Sequence, residues 1–70
     1  MLTKYIFLLC SENGIKGCKT FSEAYDSIIK NREDIVVEEE VDLDDETIVY
    51  YINRQNLKKK EKYIIKKITF

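Results

Sequence analysis

The sequence predicts an α+β domain of order β-β-α-β-β-β, an antiparallel four- to five-stranded sheet with one amphipathic helix packed on one face. Three observations carry that expectation. Runs rich in β-branched and aromatic residues recur at 2–10, 35–43, 47–54 and 62–70. The stretch from Thr20 to Asn31 instead places its apolar residues with a period of 3.6. Tight-turn signals, Asn13-Gly14 and Asp44-Asp45, follow two of the strand-like runs.

In the first run, Ile6 and Leu8 lie on one face and Tyr5, Phe7 and Leu9 on the other. A strand apolar on both faces belongs inside its sheet, covered on both sides. Asn13-Gly14 suits a type I′ turn, which needs positive φ at both central positions. A return strand is expected over 15–19, with Gly17 marking a bulge or a close backbone approach. That turn sets Leu9 opposite Cys18 and Cys10 opposite Gly17, with the sulfurs on opposite faces. A three-residue loop would instead set Cys10 opposite Cys18 and permit a disulfide; in a reducing cytosol two buried free thiols are expected.

Thr20-Phe21-Ser22-Glu23 fits a capping box, the Thr20 hydroxyl taking the Glu23 amide and the Glu23 carboxylate reaching back to the Thr20 amide. Phe21, Ala24, Tyr25, Ile28 and Ile29 then form one apolar stripe. Lys30 and Arg32 in the last turn suit the negative end of the helix dipole, and Asn31 suits the stop. The helix is expected over about 20–31.

With Asp44-Asp45 as a turn, Val41 faces Ile48, Glu39 faces Tyr50 and Val37 faces Ile52. Val37, Val41, Leu43, Ile48, Tyr50 and Ile52 then share the core face, and Glu38, Glu40, Asp42, Val49 and Tyr51 share the other. Glu39 falls on the apolar face, so a bulge or an edge position is required there. Residues 56–61 make the last loop. Tyr25 and Tyr50 read as core, and Tyr5, Tyr51 and Tyr63 as outward. One helix covers one face, so Phe7, Leu9, Val49 and Tyr51 on the second face need another cover, and a homodimer is expected to supply it. Without a repeat or linker, residues 1–70 read as a single domain.

Composition narrows the chemistry. The chain has 70 residues, with 44% apolar and 36% charged, enough to fold but not to span a membrane. It has no His, which removes imidazole zinc sites and triads. The apolar run before Ser11-Glu12-Asn13-Gly14 is short and lacks a small-residue cleavage site, so no signal peptide and a cytoplasmic location are expected. Cys10 and Cys18 lack an activating partner and a Cys-x-x-Cys spacing. Asp42, Asp44, Asp45 and Glu46 do not match a calcium loop, and Gly14 and Gly17 do not make a phosphate loop. No catalytic residue, metal or cofactor is therefore expected, and the chain does not read as an enzyme.

Charge is segregated. Residues 33–47 carry nine acids and no base, whereas residues 48–70 carry seven bases against Glu61 alone. The plain expectation is that the acidic and basic strands are near neighbours in the sheet, compensate each other and help set register. The sharper one is that one block is a docking surface. The first expectation is a protein-binding module that meets a basic partner through Glu38, Glu40, Asp42, Asp44 and Asp45, with Tyr51 beside them. The alternative is a nucleic-acid-binding module using Arg54, Lys58, Lys59, Lys60, Lys62, Lys66 and Lys67, disfavoured by the near-neutral total charge. A structural homodimer without a separate target is a third reading. In size and in its Lys/Glu/Ile-rich, His-free composition the chain resembles the small proteins of phages and mobile elements. That resemblance implies an anti-defence, anti-CRISPR-like inhibitor that occupies a nucleic-acid-handling protein.

Overall fold

Residues 4–69 are described by a computed structural model. Strands β1 (Tyr5–Ser11) and β2 (Gly14–Cys18) precede helix α1 (Phe21–Ile29), and β3 (Ile35–Asp42), β4 (Glu46–Asn53) and β5 (Lys60–Thr69) follow it. The five strands form one antiparallel sheet in the order β2-β1-β5-β4-β3. The fold is thus α+β, with β1 inside the sheet and β5 at its centre.

The first hairpin differs from expectation by two positions in register. Ser11 pairs with Gly14, Leu9 with Lys16 and Phe7 with Cys18. The turn residues are therefore Glu12 and Asn13. Gly14, at φ 130°, takes the positive angle just after the turn, where only glycine fits without strain. The Ser11 hydroxyl accepts the Asn13 amide at 3.2 Å and fixes the corner. A shift by two preserves the faces, so Cys10 and Cys18 still point to opposite sides, both as free thiols. Gly17 is a close approach: a Cβ there would stand 3.2 Å from Ile6 Cδ1.

Helix α1 starts as expected, with the Thr20 hydroxyl accepting the Glu23 amide at 3.0 Å. The Glu23 carboxylate, however, accepts the Lys19 amide at 3.4 Å rather than that of Thr20. The helix is also shorter than expected. Lys30 is its C-cap, and Asn31 at φ 60° turns the chain out in the left-handed region that asparagine tolerates. Lys30 and Arg32 thus lie beyond the last turn, and Arg32 has another task, described below.

The second hairpin turns at Asp44-Asp45, with the Leu43 amide donating to the Glu46 carbonyl at 2.7 Å. Val41 pairs with Ile48 and Glu39 with Tyr50, as expected, but a bulge between Val37 and Glu39 puts Val36, not Val37, opposite Ile52. The faces are the reverse of the expectation. Val49 and Tyr51 are fully buried on the helix side with Leu9, Cys18, Ala24, Ile28, Ile35 and Ile65. Ile48, Tyr50 and Ile52 lie on the open side with Ile6, Leu8, Cys10 and Ile64, all half-buried. Both alternating sets of β4 are apolar, so its own pattern does not choose a side. The expectation that Phe7, Leu9, Val49 and Tyr51 need a second cover is therefore corrected: Phe7 packs against the core, and the uncovered apolar face is the opposite one. Among the tyrosines, Tyr51 is core, Tyr25 and Tyr63 pack on its margin, and Tyr5 stays half exposed.

Candidate functional site

The strand order decides how the two charge blocks relate. β3 is an edge strand and β5 is central, with β4 between them. At about 4.8 Å per strand, the acidic and basic backbones run roughly 10 Å apart. Direct cross-strand compensation is thus confined to the opposed pair Glu46 and Lys66, together with Lys60 Nζ reaching Glu38 Oε1 at 3.1 Å across Ile52. Among the described residues, Glu39, Glu40, Asp42, Asp44 and Asp45 form no ion pair and are exposed.

The bulge sorts these carboxylates. Glu38 turns to the open side with Lys60, and Glu39 opposes Tyr50 there. Glu40 and Asp42, opposite Val49 and Thr47, project on the helix side, so Glu38, Glu40 and Asp42 do not share one face as the alternation alone implied. Asp44 and Asp45 form the hairpin tip. Tyr51 is 1% exposed and belongs to the core on the helix side, not to the acidic surface, which corrects its assignment to the docking set beside the carboxylates.

Edge geometry adds a second feature. Leu43 bonds inward to Glu46, and in an antiparallel ladder such inward bonds alternate. The backbone N–H and C=O groups of Glu40 and Asp42 therefore point away from β4 into solvent. α1 packs chiefly over β1, β2 and β5, and of β3 only Ile35 is buried in the core beside it. Between its C-terminal half and β3 runs a groove of about 520 Å³, lined by Tyr25, Ile29, Ile35, Val37, Tyr51 and the cations Arg32 and Arg54, among others. The Tyr51 hydroxyl is buried with no hydrogen-bond partner, and burial holds its pKa well above the ordinary tyrosine value.

The basic block is dispersed. Arg54, Lys58 and Lys59 lie in the β4–β5 loop, Lys60, Lys62 and Lys66 project on the open side, and Lys67 sits on the helix side with Nζ 4.8 Å from the Tyr5 ring centroid. Lys62 stands 6.0 Å from the Tyr50 ring centroid. The seven residues of the nucleic-acid reading thus occupy three places, and Lys60 and Lys66 face carboxylates.

A third cluster went unread in the sequence. Arg32 donates from Nε and Nη2 to Asp34 at 3.0 and 3.2 Å, and from Nη1 and Nη2 to Glu61 at 3.2 and 2.5 Å. Tyr63 donates to Glu61 at 2.8 Å, and Asn53 Nδ2 donates to Asp34 at 3.3 Å. The guanidinium holds both carboxyl groups below their ordinary pKa, chiefly through these bonds, and they in turn raise its own. Asn53 Oδ1 accepts the Gln55 and Asn56 amides, which orders the loop carrying Lys58 and Lys59. The cluster ties the α1–β3 connection to the β4–β5 hairpin. Its signal, Arg and Asp at i and i+2 after a helix, is too common to be read.

Among the described residues, no group of three His, Cys, Asp or Glu side chains is placed to hold a metal ion, and no helix is long and apolar enough to cross a membrane. No family model, no curated protein and no solved structure matches the chain.

Proposed function

We propose that this protein is a non-enzymatic, cytoplasmic protein-binding module that docks on a basic, nucleic-acid-handling partner through its acidic edge, in the manner of an inhibitor. The observation that carries the reading is the position of β3. An edge strand with carboxylates exposed and unpaired, one strand removed from the basic block, keeps its field for a partner rather than spending it inside the fold. The alternative nucleic-acid reading is weakened by the dispersal of the basic residues. Two free thiols on opposite faces suit a reducing compartment.

Reversing Glu40, Asp42, Asp44 and Asp45 to Lys is expected to slow association with a captured partner by roughly 10- to 1000-fold at low salt, with a smaller loss at high salt. Replacing Lys58, Lys59 and Lys60 by Ser should leave association nearly unchanged. Circular dichroism must show each variant folded. A folded, charge-reversed protein that associates as fast as wild type would overturn the acidic-edge reading.

Self-association joins this reading through a specific observation, the half-buried apolar row Ile6, Leu8, Ile48, Tyr50, Ile52 and Ile64 on the open side. Sedimentation at about 100 µM protein is expected to show a dimer. A monomer there would mean that the stems of Lys60, Lys62 and Lys66 suffice to cover the row.

A further inference from the structure

We infer that the partner segment is an extended strand of alternating character, apolar at one end and basic at the other, which adds to the free edge of β3. The inference rests on the acidic-edge reading and specifies its partner. Along the helix side, β3 presents Ile35, Val37, Glu40 and Asp42 in that order. The first two border the groove beside α1, and the last two stand beyond the helix with their outward amide and carbonyl groups unsatisfied by β4. An added strand would place alternate side chains against this row, two apolar ones at the groove and two cationic ones against the carboxylates.

The wall of the groove also carries a polar group. The Tyr51 hydroxyl lies buried there without a partner, beside Tyr25 and in the field of Glu40. A buried polar group in that condition is uncommon.

The charge also says what does not bind. Pairing β3 antiparallel to β3 of a second copy would set Glu40 and Asp42 against Val37 and Ile35, or in a shifted register against each other, and in no register against a cation. The chain's own basic strand, β5, is paired on both sides and cannot be offered. The edge therefore refuses copies of itself and accepts a basic strand, the arrangement by which sheets avoid self-aggregation while staying open to a chosen chain.

The test uses a synthetic peptide, acetyl-Lys-Thr-Lys-Thr-Val-Thr-Val-amide, which set antiparallel to β3 brings its lysines to Asp42 and Glu40 and its valines to the groove. Binding is followed by fluorescence anisotropy and by amide shifts of the full chain. The peptide is expected to bind, and the same peptide N-methylated on the amides that face β3 should bind at least roughly tenfold more weakly despite equal charge. Glu40→Pro, which fills an outward N–H position that edge strands tolerate, should lose roughly tenfold or more, against roughly threefold or less for Glu40→Gln. Ile29→Lys, at the exposed groove wall, should weaken the peptide as well. If wild type does not bind the peptide, or binds the N-methylated form equally well, strand addition is wrong. The acidic-edge reading then stands or falls separately on the fourfold charge reversal. Should Glu40→Pro fail to fold, the N-methylated peptide decides alone.

Discussion

Ile28→Ala is expected to lower the stability of the protein by about 2–5 kcal/mol, the range for truncating a buried aliphatic side chain. Ile28 is 3% exposed and, with Ala24, forms the part of α1 that meets the sheet. A domain of this length holds only roughly 4–10 kcal/mol against unfolding, so the loss is comparable with the whole margin. Thr20→Ala, which removes the cap on the Glu23 amide, should cost about 1 kcal/mol by comparison. Ile29, its neighbour in sequence, is 43% exposed, and Ile29→Ala should cost little. Urea denaturation of the three variants checks the ranking. An Ile28→Ala protein as stable as wild type would mean that this turn of the helix does not pack as described.

Arg32→Leu is expected to cost about 1–2 kcal/mol at neutral pH, after allowance for the partial exposure of the guanidinium. It removes the cation shared by Asp34 and Glu61 and leaves two carboxylates facing each other at the base of the β4–β5 hairpin. The effect has a pH signature. Both carboxyl groups ionise more readily in the folded chain than their ordinary values of 3.8 and 4.5. Their contribution is therefore complete above the unfolded values and is lost as pH falls through the folded ones. Wild type and variant should differ most above about pH 5 and converge as the pH is taken below about 4. Denaturation midpoints across that interval measure it; a difference that does not shrink in acid would mean that Arg32 acts through packing of its stem and not through its charge.

What the sequence made legible divides by physical cause. Periodicity and local turn chemistry reached the element order, the helix and its Thr20 cap, the Asp44-Asp45 turn and the interior place of β1, because each depends on near neighbours in the chain. The side of the sheet on which α1 lies was not legible. β4 carries Val49 and Tyr51 on one set and Ile48, Tyr50 and Ile52 on the other, so only tertiary packing distinguishes them. The one-residue slip at Val37 compounds this, since every side chain beyond a bulge changes face relative to a regular strand. Glu39 gave the warning, as a carboxylate that a regular alternation buried. The acidic block was visible as composition, but its significance depends on strand order, which places β3 at the edge and keeps β5 from neutralising it. The Arg32 cluster joins residues 29 and 31 positions apart, and its one local part, Arg32 with Asp34, is too common a pattern to single out.

The central position of β5 has a consequence for how the sheet comes together. The β1–β2, β3–β4 and β4–β5 hairpins close between near neighbours in the chain, whereas the pairing of β5 with β1 must bring Tyr5 to Thr69. Loop closure over such separations comes late. Until β5 docks on β1, the β1–β2 and β3–β4–β5 ribbons have four raw edges between them; once it docks, two edges remain. The last strand in chain order is thus the seam of the sheet. The step that joins the two halves is also the step that withdraws half of the exposed backbone from unwanted pairing with other chains.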